Sequence, residues 1–288
     1  AADLEKRRPG FSQETSARKE PDNAQILSGV FEGKTLGTPI AIIVANQDAR
    51  SQDYDAIKTQ PRAGHADAAW KSKFVHVDHR GGGRSSGRET VARVMAGSVA
   101  KMLIRSLGSA ITFESRLTTV GPHSFNCSPY SLDQKLQQLL EKARTDGESF
   151  GARLSVTVNG VPAGLGQPVF HKLKSELGGA ILGIGAVNGV EFGAGFQAAS
   201  SKGSDFHQIE TGRKQYGGIS GGISNGEPLE IQVSFKPASS ILDVAKKGRH
   251  DPCVAVRAAI VVEAMIAIVL ADQFLLKRLD NIFYTPGG

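Results

Sequence analysis

The chain has 288 residues, of which 40% are hydrophobic and 22% charged, with a formal net charge of +6 and a pI near 9.3. That allows one large domain or two modest ones, and the basic balance suits an acidic partner. Two cysteines, Cys127 and Cys253, are too few for a disulfide framework or a cysteine-rich zinc site, and an aromatic content of 6% leaves few stacking platforms for single-stranded nucleic acid.

Residues 1–25 are polar and charged and read either as a solvated arm or as a ligand-facing loop carrying Arg7 and Arg8. Ile26–Phe31 is predicted as a short strand, 32–37 as its turn and Ile40–Val44 as a buried strand. Pro61-Arg62-Ala63-Gly64-His65-Ala66-Asp67 is a loop in which Asp67 can orient or tune the His65 ring; the alternative is a structural or merely exposed histidine. His76 and His79 follow without the H-x₃-H spacing of a helical metal site, so no metal is expected.

The stretch from Asp78 to Thr90 holds three glycines, Arg80, Arg84, Ser85, Ser86, Gly87, Arg88 and Glu89. Ser86 and Glu89 stand in capping-box relation, which starts a helix at Ser86. Unpaired N–H groups at that start, a glycine loop and three arginines make an anion site, most simply for phosphate. A glycine-rich turn with solvated arginines is the plainer reading. The helical stripe continues through Val91, Val94, Met95, Val99, Met102 and Leu103 and stops near Leu107-Gly108.

A strand is predicted over Ile111–Val120. Ser131–Arg144 follows as an amphipathic helix capped by Ser131 and Gln134 and stopped by Gly147. Arg153–Val158 is a strand, Lys172–Ile184 a glycine-weakened helix, Gly189–Phe196 a short strand and Ser200–Tyr216 irregular. A second glycine-dense stretch, Gly217–Gly226, precedes the period-two strand Leu229–Phe235. Lys236-Pro237-Ala238-Ser239-Ser240 ends it with one cation and two hydroxyls, good phosphate chemistry. Lys246–Cys253 is a second cationic loop, with Arg249 and with His250 beside Asp251. It leads into the apolar segment Ala258–Leu276, which Glu263 and Asp272 interrupt and which reads as a buried helix rather than a membrane span.

Gly37–Val44 echoes Gly226–Val233. Each is followed by a polar stretch, a loop holding His and Asp, and a long apolar helix. The echo suggests a duplicated unit; chance is the alternative. Composition and spacing thus reach an α+β protein that binds a phosphorylated, multiply anionic small molecule and has His/Asp acid–base chemistry.

The ordered motifs resemble those of the chorismate synthase family over nearly the whole chain. They are Arg7-Arg8-Pro9-Gly10, Ile26–Thr35, Gly64-His65-Ala66-Asp67, Arg80–Val94, Gly217–Gly226, Lys236-Pro237, Gly248–Cys253 and Glu263-Ala264-Met265. The resemblance implies a β-α-β sandwich, two antiparallel sheets enclosing helices with internal pseudo-two-fold symmetry, in one domain over 1–288. It also implies a lyase that converts 5-enolpyruvylshikimate 3-phosphate to chorismate and phosphate by 1,4-elimination, with reduced FMN required although no net redox change occurs. NAD(P)H enters only if the chain has its own flavin reductase activity.

By motif position, His65 looks like the residue that protonates the reduced flavin, and Asp251 like the acid that assists the final proton removal. Arg84, Ser85, Ser86, Ala186, Gly221, Lys236, Pro237, Ala238, Ser239, Ser240 and Arg249 fall on flavin-binding positions. Arg7, Arg88 and Arg249 are candidates for the substrate anions. The resemblance further implies a homotetramer in the cytoplasm, or in a plastid after loss of a transit peptide, with no nucleic-acid or membrane partner. The chain departs from the family pattern at Ala63, Gly87 and Gln13. It also lacks the family's opening strand and its Gly-Glu-Ser-His-Gly motif, which leaves a catalytically inactive flavin- or anion-binding homologue as the alternative.

Overall fold

A computed structural model describes residues 1–8, 22–46, 61–62, 64–78, 83, 85–207, 213–239, 241–242 and 251–280. The first elements are α1 (Ala2–Arg7), β1 (Ala24–Ile26), β2 (Val30–Phe31), β3 (Lys34–Thr35), β4 (Ile42–Val44), α2 (Asp67–Phe74) and α3 (Thr90–Ser106). Next come β5 (Thr112–Val120), β6 (His123–Cys127), α4 (Gln134–Asp146), β7 (Ala152–Asn159), α5 (Leu173–Leu182) and β8 (Val187–Phe192). The last are α6 (Gly203–Phe206), β9 (Ile219–Ser220), β10 (Ile223–Ser224), β11 (Leu229–Phe235) and α7 (Val254–Asp280).

Five strands form an antiparallel sheet in the order β6-β5-β7-β11-β8, and β1-β4, β2-β3 and β9-β10 are two-stranded ribbons. The chain is therefore mixed α and β with antiparallel pairing. Strand alternation places Leu154, Val156, Val158, Leu229, Ile231 and Val233 on the buried face of the large sheet. Ser155, Thr157, Glu230 and Gln232 stand between them on the more polar face.

The buried face packs beneath α7, whose residues are apolar around most of the helix, as expected of a core helix. It is long and apolar enough to cross a membrane, but 72% of its most apolar 18 residues is buried inside the protein. The buried-helix reading of Ala258–Leu276 agrees with this. Small residues let α3 approach closely: a methyl group added at Gly97 would overlap Ala264. Glu263 is a buried charged group on α7. It accepts from Ser115 Oγ at 2.8 Å and Tyr130 OH at 2.6 Å, and Lys101 Nζ lies 3.5 Å away. Lys101 also pairs with Asp3 at 3.1 Å, which ties α1 to α3.

Several expectations change, among them the buried strand over Ile40–Val44, which is Ile42–Val44 with Ile43 exposed. Residues 2–7 are a helix with Leu4 and Arg7 buried, so this part of the arm is not solvated. The cap of α4 is Asp133, whose carboxylate accepts from Leu136 N at 2.8 Å; Ser131 instead bridges back to Ser128. The stop at Gly147 holds, with φ of 74° in the left-handed region. The strand expected over Ile26–Phe31 is divided into β1 and β2 by a bend at Ser28-Gly29.

Candidate functional site

Two clusters of polar side chains form the site. The first surrounds His65, in the loop that precedes α2. His65 Nδ1 lies 2.7 Å from Asp67 Oδ1, so the carboxylate accepts the Nδ1 proton, and the Nε2 edge faces Arg62. Arg62 donates to Asp67 through Nε at 2.8 Å and through its backbone N–H at 3.1 Å, and its Nη2 lies 3.1 and 3.2 Å from the two ring nitrogens. Burial and the charge of Arg62 pull the imidazole below its ordinary value, with Lys236 adding to the effect and Asp67 opposing it. Burial works to raise the Asp67 carboxyl, but the hydrogen bonds and charge of Arg62, aided by His65, hold it down at about 2.

The loop after β11 docks on this histidine loop. Lys236 Nζ donates to the Gly64 carbonyl at 2.6 Å, and Ser239 Oγ donates to the same oxygen at 2.8 Å. Lys236 N also donates to the Ala186 carbonyl at 2.9 Å. Lys236 and Ser239 therefore meet the histidine loop at Gly64, and Ala186 holds the Lys236 backbone.

The second cluster lies at the start of α3. Ser86 caps a short 3₁₀ turn, Gly87–Glu89, by accepting from Arg88 N at 3.2 Å. The expected capping box is only half formed: Glu89 turns away to pair with Arg93, its i+4 neighbour, at 3.1 Å. The α-helix accordingly begins at Thr90 rather than at Ser86. Arg88 Nη1 donates to Asp22 Oδ1 at 2.6 Å, and Arg7 Nη1 donates to Asp22 Oδ2 at 2.8 Å. Arg7 also donates to Thr90 Oγ1 and to the Gly87 carbonyl, each at 3.0 Å. Burial, with the charges of Arg257 and Arg88, brings the Arg7 guanidinium down to about 10 despite Asp22.

Arg257 carries this cluster to Asp251. Its Nε donates to the Arg7 carbonyl at 2.9 Å and its Nη1 to Asp251 Oδ2 at 2.7 Å. Two adjacent residues then join the clusters. Ser149 Oγ donates to the Ala238 carbonyl at 2.8 Å, and Phe150 N donates to the Pro252 carbonyl at 2.8 Å. The loop that grips the histidine segment and the segment that carries Asp251 thus hang on neighbouring peptide units.

Of the residues singled out in the sequence, His65, Asp251, Ser86, Ala186, Lys236, Ala238, Ser239, Arg7 and Arg88 fall in these linked clusters, with Ser85 and Pro237 adjoining them in the chain. Gly221 sits elsewhere, in the β9-β10 turn; the neighbouring Gly222 carbonyl accepts from Leu173 N at 2.7 Å. Arg84, Ser240, Arg249 and His250 lie outside the described residues. Sequence reasoning missed Asp22, Ser149 and Arg257. Their partners are distant in the chain or set by tertiary packing, and no local motif marks them.

The chain matches the chorismate synthase family model over residues 1–275. The chain belongs to the chorismate synthase family. It is 54% identical to the chorismate synthase of Bdellovibrio bacteriovorus, a match that covers 97% of this chain and 87% of the relative. It is 45% identical to that of Sphingopyxis alaskensis over 96% of this chain and 87% of the relative. The figures for Gluconobacter oxydans are 44%, 94% and 85%. A crystal structure of chorismate synthase superposes with a TM-score of 0.69 at 29% identity, covering 88% of this chain and 78% of that one.

Chorismate synthases are lyases that close the shikimate pathway and require reduced FMN. The donor set fits such a cofactor: beside the histidine loop Lys236 gives one N–H to the Gly64 carbonyl and keeps two ammonium donors and its charge, suited to a phosphate-bearing, hydrogen-bonding flavin.

Proposed function

We propose that the two linked clusters are the active site at which this chain converts 5-enolpyruvylshikimate 3-phosphate to chorismate and phosphate. The observation that carries the reading is the continuity from His65 through Lys236–Ser239 and Ser149-Phe150 to Asp251. Hydrogen bonds to Gly64, Ala238 and Pro252 tie together the segments that carry the acid–base pair implied by the family motifs, which supports the reading. When bound, reduced FMN supplies transient electron density as the phosphate leaves.

The chain's own residues do the rest. Lys236, Ser239, Ser85, Ser86 and Ala186 hold the cofactor, with Arg84, Pro237, Ala238, Ser240, Arg249 and Gly221 completing that set. The Arg88 side chain, 20% exposed, grips a substrate anion, and Arg7, at 3%, backs it from the interior. Arg249 is a further cation for the same anions. His65 gives a proton through Nε2 while Asp67 holds Nδ1. A bound anion offsets the charges of Arg62 and Lys236 and raises the imidazole toward the operating range. Asp251, held by Arg257, assists removal of the C6 proton.

The same reading assigns a β-α-β sandwich with pseudo-two-fold symmetry in one domain, and a cytoplasmic homotetramer. Two observations support the sandwich. The helices that follow the two echoed segments, α3 and α7, pack against each other. The ribbons carry Ile26, Leu27, Phe31 and Leu36 more than half exposed, apolar material suited to a second sheet.

Anaerobic turnover of His65→Ala tests the site. A loss of ~10²-fold or more in kcat is expected of an acid–base group. Unchanged turnover removes His65 from the mechanism.

A further inference from the structure

Asp22 is a carboxylate with no exposed side-chain surface, and it divides its two oxygens between two arginines from different elements. Oδ2 takes Arg7 Nη1 at 2.8 Å, and Oδ1 takes Arg88 Nη1 at 2.6 Å. Its backbone has φ of 45°, a left-handed conformation that a non-glycine residue adopts at a cost of the order of 1 kcal/mol. Such a placement persists only where the surroundings over-determine it, and here two short charge-assisted hydrogen bonds do so.

The two arginines that share Asp22 differ in access, and Arg257, at 19% exposure, is committed elsewhere. Arg7 is 3% exposed and is hydrogen-bonded through all three guanidinium nitrogens. Arg257 is engaged with the Arg7 carbonyl and with Asp251. Arg88 is the more open of the two that share Asp22, at 20% exposure, and its Nη2 reaches the Ala45 carbonyl at 3.2 Å.

We propose that Asp22 is a positioning residue of this active site, holding the Arg88 guanidinium in place, with Arg7 as its buried brace, so that a substrate phosphate or carboxylate meets a pre-oriented cation. The inference rests on the proposed function for the identity of the anion. Physically, a guanidinium fixed before binding loses less side-chain freedom when the anion arrives. Replacing Asp22 by Asn keeps the size and removes the charge. Arg7 and Arg88 then lose their shared counter-ion, and an amide N–H₂ faces one guanidinium. Arg88, the more exposed of the two, swings toward solvent. His65 and Asp251 are not touched by Asp22.

The test is steady-state kinetics of Asp22→Asn, Arg88→Gln and the double variant, under anaerobic conditions with reduced FMN. The account expects KM for 5-enolpyruvylshikimate 3-phosphate to rise ~10-fold or more in D22N with kcat within a few-fold, the signature of lost uniform binding. In the Arg88→Gln background D22N should have almost no further effect, because Asp22 acts through that arginine. FMN affinity should move little by comparison, whereas Tm falls because the buried Arg7 loses its partner. An unchanged or lowered KM in D22N, or effects that simply add in the double variant, overturns the proposal.

Two readouts do not depend on turnover. Titration with inorganic phosphate should give weaker binding in D22N than in the wild type, and equal binding counts against Asp22 even if the wild type forms no chorismate. Should D22N fail to fold, arginine side-chain ¹⁵N spectra of the wild type decide. The Arg88 Nη signals, identified by their loss in Arg88→Gln, should be resolved by slow guanidinium rotation; fast averaging overturns the proposal.

Discussion

Arg257 Nη1 lies 2.7 Å from Asp251 Oδ2, within the same turn-to-helix segment, while its Nε holds the Arg7 carbonyl at 2.9 Å. One planar side chain therefore fixes the acid at the mouth of α7 and the backbone of α1 together. Lysine cannot replace this fork, since a single ammonium lacks the two divergent donor edges. Arg257→Lys should lower kcat by ~10-fold or more by misplacing Asp251, with a smaller change in FMN affinity. The deuterium isotope effect on the C6 hydrogen should rise as that step becomes limiting. Wild-type kcat and isotope effect in Arg257→Lys would show that the contact is only structural.

The His65–Asp67–Arg62 cluster predicts a pH dependence of stability. Asp67 is held at about 2 in the folded chain against an ordinary 3.8, so its contribution is present above about pH 4 and is lost as pH falls toward 2. His65 is also depressed in the folded state, so protonation favours the unfolded chain and stability falls as pH drops through its ordinary value of 6.5. Urea midpoints of the wild type and Asp67→Asn should differ most above pH 4 and converge below it. A gap that stays constant from pH 6 to pH 3 would count against the ion pair as its source.

Glu263 makes a separate stability prediction. It is buried in α7, and its carboxylate serves Ser115, Tyr130 and Lys101. Burial and the Glu263 charge push the Tyr130 phenol upward, in keeping with its role as a donor to Glu263. Glu263→Ala strands two hydroxyls and a partly buried ammonium, and should cost about 3 kcal/mol in denaturant unfolding. Glu263→Gln, which keeps an acceptor oxygen, should cost less. Equal costs for the two would mean that the charge, not the hydrogen bonding, sets the loss.

Legibility from sequence varied with how local the physics was. Leu229–Phe235 is a strand with the bounds its alternation predicts, because each second residue is buried by the same sheet face. The helix over Gln134–Asp146 was legible, but its cap was not. Ser131 and Asp133 both carry capping oxygens, and only the backbone geometry chooses Asp133. The Ser86/Glu89 box fails because Arg93 competes for Glu89 from one helical turn away. Helix α1 has six residues, too short to be stable alone, and is held by Asp3–Lys101 and Arg7–Asp22 across the fold.

The site shows the same division. His65, Lys236, Ser239 and Asp251 lie in motifs that the chain displays openly. Asp22 and Arg257 act on partners that only the folded chain brings near: Asp22 and Arg88 are 66 residues apart, and Arg257 and Arg7 are 250 apart. A lone acid after a proline and an arginine on a helix carry no local mark of such roles.

The most direct test of the account is the initial rate of chorismate formation by the full-length protein from 5-enolpyruvylshikimate 3-phosphate, with reduced FMN under anaerobic conditions. The account predicts chorismate and phosphate in equal amounts, with no net consumption of reduced FMN. Absence of chorismate under those conditions, with flavin bound, would contradict it and leave an inactive flavin- or anion-binding homologue.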